Sequence, residues 1–408
     1  MDFFTGLYLF YSFLALYYLT LFILIYIQNR EQIYESPKFK QTRSLSIVVP
    51  CYNEENSIGE TIQALLDSEY KGLENIIVVD DCSTDNSYEV IKNYAEKHPK
   101  VMAVQTPKNT GKASGAKNYG SQFVKTELIG FTDADSRSKK DAINHMIGYF
   151  EDPKVGAVTS RVLVKNRERF IANLQAIEYK IIAFTRKLFG FIDSIYVTNG
   201  PLSIYPKKVF DEVGGFDESN MTEDIEITWH IAAKGYKVHM AIPAKAYTVV
   251  PDKIKGWYRQ RIRWNVGGIQ TVVKYRKYFL KSGMLGLFII PFFVSAWILG
   301  ITGLGILGYR FGRYFIVQYL SAKYSIAAET AILSLNEINL APNILFFFGI
   351  ILLVMGISYN LLALSYSREK EYKHKIWDYV FYTLIYLLFY PIILITSLIR
   401  YFRGNYQW

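Results

Sequence analysis

Four apolar stretches bracket a long segment of different texture. Phe3 to Ile27, Met284 to Gly308 and Ile344 to Tyr366 contain no charged residue, and Trp377 to Ile399 has only Asp378 near its edge. About 20 apolar residues suffice for a helix to cross the hydrocarbon core, and a helix satisfies its own backbone polar groups there. Four transmembrane helices are therefore predicted. The first is too long for a signal peptide and lacks both a basic start and a small-residue cleavage site.

Between the first two spans the pattern switches to short β-branched runs alternating with helical spacing. "SLSIVVPCYNEE", "NIIVVDDCSTD", "VMAVQT" and "ELIGFTDADS" read as strands running into polar loops, while "SIGETIQALLDS", "SYEVIKNYAEKH" and "KASGAKNYGSQFV" read as helices. Alternation of this kind predicts an α/β domain with a parallel sheet covered by helices, and in such sheets ligands sit at the carboxyl ends of the strands. The predicted division is an N-terminal helix (1–30), an α/β domain (31–283) and a C-terminal membrane domain (284–408) with about three helices.

Charge orients this arrangement. Gln28 to Lys281 is rich in Lys and Arg, as is the short loop holding Arg368, Lys370, Lys373 and Lys375, and four crossings put both on one side. The positive-inside tendency makes that side the cytoplasm of a multi-pass membrane protein, with Tyr309 to Asn343 opposite. The net charge of +10 (46 basic minus 36 acidic residues) then has an ordinary explanation in anionic headgroups and an anionic substrate. No basic-aromatic reading surface or nucleic-acid motif is visible, so nucleic acid is not expected as a partner. Cys51 and Cys82 both follow cytoplasmic strands, where a disulfide is not expected.

Acids gather where the strands end: Asn53 and Glu54 after the first, Asp80, Asp81 and Asp85 after the second, Asp133 and Asp135 after the last. Because strand side chains repeat every second residue, Asp133 and Asp135 leave the backbone on one side. A single acidic turn is explained by turn propensity, but three at one rim suggest a site. Mg²⁺ or Mn²⁺ is the economical ligand, held by carboxylates together with substrate phosphates. There is no G-x-x-x-x-G-K-[ST] loop and no G-x-G-x-x-G after the first strand, which disfavours a P-loop or dinucleotide enzyme. "NTGKASGAKN" adds Gly111, Lys112 and Lys117, flexible backbone and cations near the same edge.

The set "VVPCYNEE", "VVDDCSTD", "NTGKASGAKN", "FTDADS", "GGFDE", "TEDIEITW" and "QRIRW" resembles the membrane-embedded family 2 glycosyltransferases with a GT-A fold, from about Leu45 to Tyr278. The likeness is strongest to compact processive polysaccharide synthases of the poly-N-acetylglucosamine and hyaluronan synthase type. It implies that Tyr52, Glu54, Asp80 and Asp81 form the pocket for a nucleotide, usually uridine. It further implies that Asp135 holds the metal on the diphosphate, that Asp133 sits against ribose or sugar, and that Lys112 contacts phosphate or sugar. Cys82 departs from the family's usual Gly.

Asp224 of "TED" matches the family's catalytic base, which takes the acceptor hydroxyl's proton. A competing local reading has Thr222 and Asp224 simply capping the helix that starts there. In "QRIRW", Gln260, Arg263 and Trp264 share a helix face by i, i+3 and i+4 spacing. By resemblance Trp264 is the acceptor platform and Arg263 balances charge on the leaving diphosphate, with Arg261 a helper. Arg169 to Phe189 has the mixed character of an interfacial helix, and Asn199 and Gly200 in "TNGPLSIY" fall near the acceptor end. The resemblance implies an inverting, processive transferase that moves sugar from a nucleotide sugar, usually UDP-linked, to a growing β-linked polysaccharide and translocates the product. An enzyme making a single transfer to a lipid, and a scaffold or channel with a dead transferase domain, are the competing classes. Membrane lipids are expected partners, and an accessory protein is compatible with the sequence.

Overall fold

The computed structural model describes residues 3–281, 283–327, 344–366 and 375–404. Eight strands form one sheet: β1 (Leu45–Cys51), β2 (Leu73–Asp80), β3 (Val101–Gln105), β4 (Leu128–Phe131), β5 (Arg137–Ser138), β6 (Val155–Val164), β7 (Ser203–Pro206) and β8 (Lys237–Thr248). Their order is β3-β2-β1-β4-β7-β6-β8-β5. The parallel arrangement predicted from the alternation holds for β3-β2-β1-β4, after which β7 pairs antiparallel with both β4 and β6. The sheet is thus mixed, with β7 running against both of its neighbours.

Helices α1 (Phe3–Asn29), α2 (Ile58–Leu66), α3 (Ser87–Lys97), α4 (Ala113–Ser121), α5 (Asn144–Ile147), α6 (Phe170–Gly190), α7 (Lys207–Glu212), α8 (Glu223–Ala233) and α9 (Ile254–Tyr275) surround it. α10 (Ile290–Ala327), α11 (Ile344–Ser365), α12 (Ile376–Leu384) and α13 (Phe389–Phe402) follow. Along β1 the side chains alternate between two cores: Ile47 and Val49 pack with α2, while Val48 joins a cluster continuing through Phe184 and Phe189 of α6. That second cluster also holds Phe22 of α1, Tyr359 of α11 and Ile393 of α13. Sheet and membrane helices therefore share one core.

Four helical segments among the described residues are long and apolar enough to cross a membrane: Thr5–Asn29, Leu285–Ala327, Phe347–Ser365 and Ile376–Phe402. The second runs well past Gly308, the end predicted from hydropathy, and its 43 residues correspond to about 64 Å at 1.5 Å each. The basic loop residues Arg368, Lys370 and Lys373 lie outside the described residues. α6 is the helix predicted over Arg169 to Phe189. It packs between the sheet and α1, α11 and α12, with Gln175, Glu178, Lys180, Arg186 and Lys187 buried.

Candidate active site

The parallel register places the carboxyl ends of β1, β2 and β4 side by side, with Cys51 opposite Asp80 and Val48 opposite Phe131. A cavity of about 670 Å³ opens beyond them, within the range of small-molecule sites. Tyr52, Glu54, Asp81, Lys112, Asp133, Asp135, Asp224, Gln260, Arg263 and Trp264 all line it. Residues separated by more than 200 positions in sequence thus face one space.

Asp80 is the exception. It is fully buried below the rim, where the Ser83 N–H and the Gln105 amide donate to its carboxylate at 3.2 and 2.9 Å. Asp80 is the last residue of β2 and stays in the sheet, whereas Asp81, one residue beyond the strand, reaches the cavity. Thr106 Oγ1, Thr110 N–H and Thr110 Oγ1 donate to Asp81 at 2.8, 2.9 and 2.8 Å, which fixes the loop carrying Gly111 and Lys112. Lys112 does not extend into the cavity as a free cation; its ammonium donates to the carbonyl of Glu218 at 2.7 Å and ties that loop down. Cys82 has φ 58°. Glycine adopts that left-handed backbone at least cost, which accounts for the family's usual residue there. The exposed ring of Tyr52 stands at the rim, and the Asn53 N–H donates to Ser83 Oγ at 3.0 Å, lacing the first two loops together.

Asp135 is oriented by two hydroxyls, Ser136 Oγ at 3.0 Å and Thr248 Oγ1 at 3.3 Å. Burial first, and the neighbouring Asp133 second, push its carboxyl up to about 6. This corner is short of positive charge, and an oxygen donor set of this kind fits a hard divalent cation completed by diphosphate oxygens. Among the described residues no cluster of three or more His, Cys, Asp or Glu side chains is gathered for a metal. Gly200 presses against the other acid: a Cβ there would lie 2.2 Å from Asp133 Oδ2.

Lys117 links Asp133 to the acids at the start of α8. Its ammonium, buried on α4, lies 2.8 Å from Glu223 Oε1 and 3.5 Å from Asp133 Oδ1. Its charged form is favoured by these two acids despite burial, and the pairing with Lys117 in turn holds Glu223 below the usual carboxylate range. Next to it, burial and the charge of Glu223 push Asp224 up to about 6. Two adjacent acids thus titrate apart. The hydroxyl of Thr222 makes no capping bond to α8 and contacts Asn220 Oδ1 instead, packing where a Cβ on Gly267 of α9 would collide. Capping by Thr222, one part of the competing reading, is absent. Arg263 adds positive potential to both acids.

Arg261, expected as a helper on the leaving group, does not line the cavity; it is fully buried behind Gln260 and Trp264. At i+1 from Gln260 a helical side chain points away from the i, i+3, i+4 face. Residues that motif reasoning passed over also line the site: Tyr179, Arg186 and Thr248. Arg186 is buried and hydrogen-bonds Asn199, which also lines the cavity. No spacing rule marks such single residues within longer elements.

The sequence pattern of the glycosyltransferase-like family 2 matches residues 42–267, more than half of the chain. The chain belongs to glycosyltransferase family 2. Within it, a poly-β-1,6-N-acetyl-D-glucosamine synthase of Staphylococcus epidermidis is 30% identical over 266 residues, covering 65% of this chain and 64% of that relative. The synthase of the same name from Staphylococcus aureus is 28% identical over 298 residues, 72% of each chain. The mannosyltransferase PcManGT of Pyrobaculum calidifontis, solved in complex with GDP-Man and Mn²⁺, shares the fold over 98% of this chain and 99% of its own, with a TM-score of 0.60 and 20% identity. The glycosyltransferase domain has the expected GT-A architecture, flanked by apolar helices.

Proposed function

We propose that this family 2 glycosyltransferase is an inverting, processive polysaccharide synthase. It draws on a UDP-linked sugar at the cytoplasmic face and passes a β-linked polymer through its own helices. The observation that carries this reading is the meeting of Asp135, Asp224 and Trp264 in one cavity walled by α6 and α9, helices that pack on the membrane-capable ones, in a chain whose relatives are named polysaccharide synthases. The cytoplasmic assignment rests on the basic residues of the 28–281 segment.

In the proposed reaction the acceptor hydroxyl attacks the anomeric carbon, a new C–O bond forms, and the bond to the diphosphate oxygen breaks. Asp224 accepts the hydroxyl proton. Its raised carboxyl makes it a better base than an ordinary Asp while leaving it ionised at neutral pH. Trp264 offers a ring for the acceptor sugar to stack on, and Arg263 opposes charge developing on the leaving group. Tyr52, Glu54 and Asp81 bound the nucleotide end, and Asp133 contacts ribose or sugar. Asp135 would hold Mg²⁺ or Mn²⁺, which when bound supplies Lewis-acid stabilisation to the departing diphosphate.

Purified protein incubated with radiolabelled UDP-N-acetylglucosamine and either ion tests this. A high-molecular-weight product supports the proposal, whereas a single labelled lipid makes the enzyme a single-transfer glycolipid transferase. Donor left unconsumed across a panel of UDP- and GDP-sugars refutes the enzymatic reading.

A further inference from the structure

Arg261 of α9 occupies the junction of three helices, α6, α9 and α13. Its guanidinium forms an ion pair with Glu178 of α6, and the two side chains are only 1% and 4% exposed. Nε donates to the Tyr390 hydroxyl of α13 at 3.1 Å, and a terminal N–H donates to Gln260 Oε1 at 2.5 Å. The same group lies 4.2 Å from the centre of the Trp264 ring. Glu178 also accepts from the Tyr386 hydroxyl at 2.8 Å, and Tyr386 in turn accepts from Trp257 Nε1 at 2.6 Å.

A buried ion pair of this kind is a poor way to gain stability. Apolar residues of similar volume commonly do as well or better. What the pair does supply is direction. A planar guanidinium with its donors engaged on Glu178, Tyr390 and Gln260 has one orientation, and it passes that orientation to the two residues it touches on the cavity side. Those two, Gln260 and Trp264, line the proposed acceptor end.

We infer that Arg261, Glu178 and Tyr386 form a positioning unit that orients Gln260 and Trp264 for the acceptor, anchored on the last membrane segment. None of the three touches substrate. The unit rests on the glycosyltransfer reading above, and it assigns Glu178 and Tyr386 a part in the reaction although neither borders the cavity.

The test uses the full-length enzyme with an apolar replacement of the pair, Glu178→Leu with Arg261→Met, and separately Tyr386→Phe. Thermal melting, UDP affinity and the fate of radiolabelled UDP-N-acetylglucosamine are measured for each. The double variant should melt near wild type and bind UDP equally well. It should transfer sugar on the order of 100-fold more slowly, the scale of a 1 Å misplacement, and lose a larger share of the consumed donor to water. Tyr386→Phe should slow transfer roughly 3- to 10-fold, as expected for a smaller disturbance of the same geometry. A folded double variant with wild-type transfer and wild-type partition to water overturns the inference. If the double variant does not fold, full transfer by Tyr386→Phe overturns it. Should wild type ignore UDP-N-acetylglucosamine, the choice of donor is what fails, and the same partition is read with the sugar nucleotide that wild type consumes.

Discussion

Replacing Lys117 by Gln should both loosen the protein and move its working pH. Lys117 is 3% exposed as a side chain and Glu223 20%, so the pair counts as buried, and removing one partner of a buried pair costs about 3–5 kcal/mol. The contact to Asp133, whose side chain is 37% exposed, adds about 1 kcal/mol at most, because solvent screens it. For a unit of this size each kcal/mol lowers the melting point by about 2–4 °C, so a fall of roughly 6–24 °C is expected. Loss of the ammonium also leaves Glu223 and Asp224 facing each other with only Arg263 as counter-charge. A proton is then held more tightly between them, and the acid limb of the kcat profile should move above its wild-type position near pH 6. Scanning fluorimetry in detergent at one scan rate, and transfer assays from pH 5 to 9, read the two effects, with Lys117→Arg as the charge-keeping control. A Gln variant that melts within roughly 2 °C of wild type and keeps the same acid limb would refute the argument.

Wild-type transfer should rise as pH passes up through about 6 and then level off, because Asp224 must lose its proton to act as base; a flat profile between pH 5 and 8 argues against that role. Asp224→Asn should abolish transfer while retaining UDP binding by calorimetry, and substantial turnover removes Asp224 as the base. Gly200→Ala drives a Cβ into the Asp133 carboxylate and should slow transfer by displacing it, on the order of 100-fold for a shift of about 1 Å. Wild-type kinetics in that variant mean that the two loops separate freely. Stripping divalent ions with EDTA should stop transfer, with recovery on Mn²⁺ or Mg²⁺ but not on Na⁺ at equal ionic strength.

Motifs with a fixed local spacing were legible in the sequence because the spacing itself aims the side chains. The i, i+3, i+4 set Gln260, Arg263 and Trp264 on α9 reaches the cavity together for that reason, whereas Asp133 and Asp135 reach it, with Ala134 between them, from the turn that follows β4. The helical rule also separates Arg261 from that set, but Asp80 drops out because it ends β2 below the rim, a depth that no spacing marks. Lys117 was visible as a cation near the right edge, but its position between Glu223 and Asp133 depends on how α4 packs against α8. Arg186 and Tyr179 carried no signal, since a buried polar residue on an otherwise apolar helix acquires its meaning from the elements that cover it. The antiparallel return through β7 was equally silent, because strand direction is set by connections and not by the residues of the strand.

The core shared by the sheet and the helices bears on how this enzyme can be handled. Phe184 and Phe189 of α6 meet Phe22 of α1, Tyr359 of α11 and Ile393 of α13 in a single apolar cluster. A soluble fragment cut near residues 31 and 283 would turn that cluster out to water and should precipitate or cling to detergent micelles. Detergents or lipids that pry α1 and α11 away from α6 will for the same reason be felt in the cavity that α6 lines through Tyr179 and Arg186, so the choice of solubilising agent is itself a variable of catalysis.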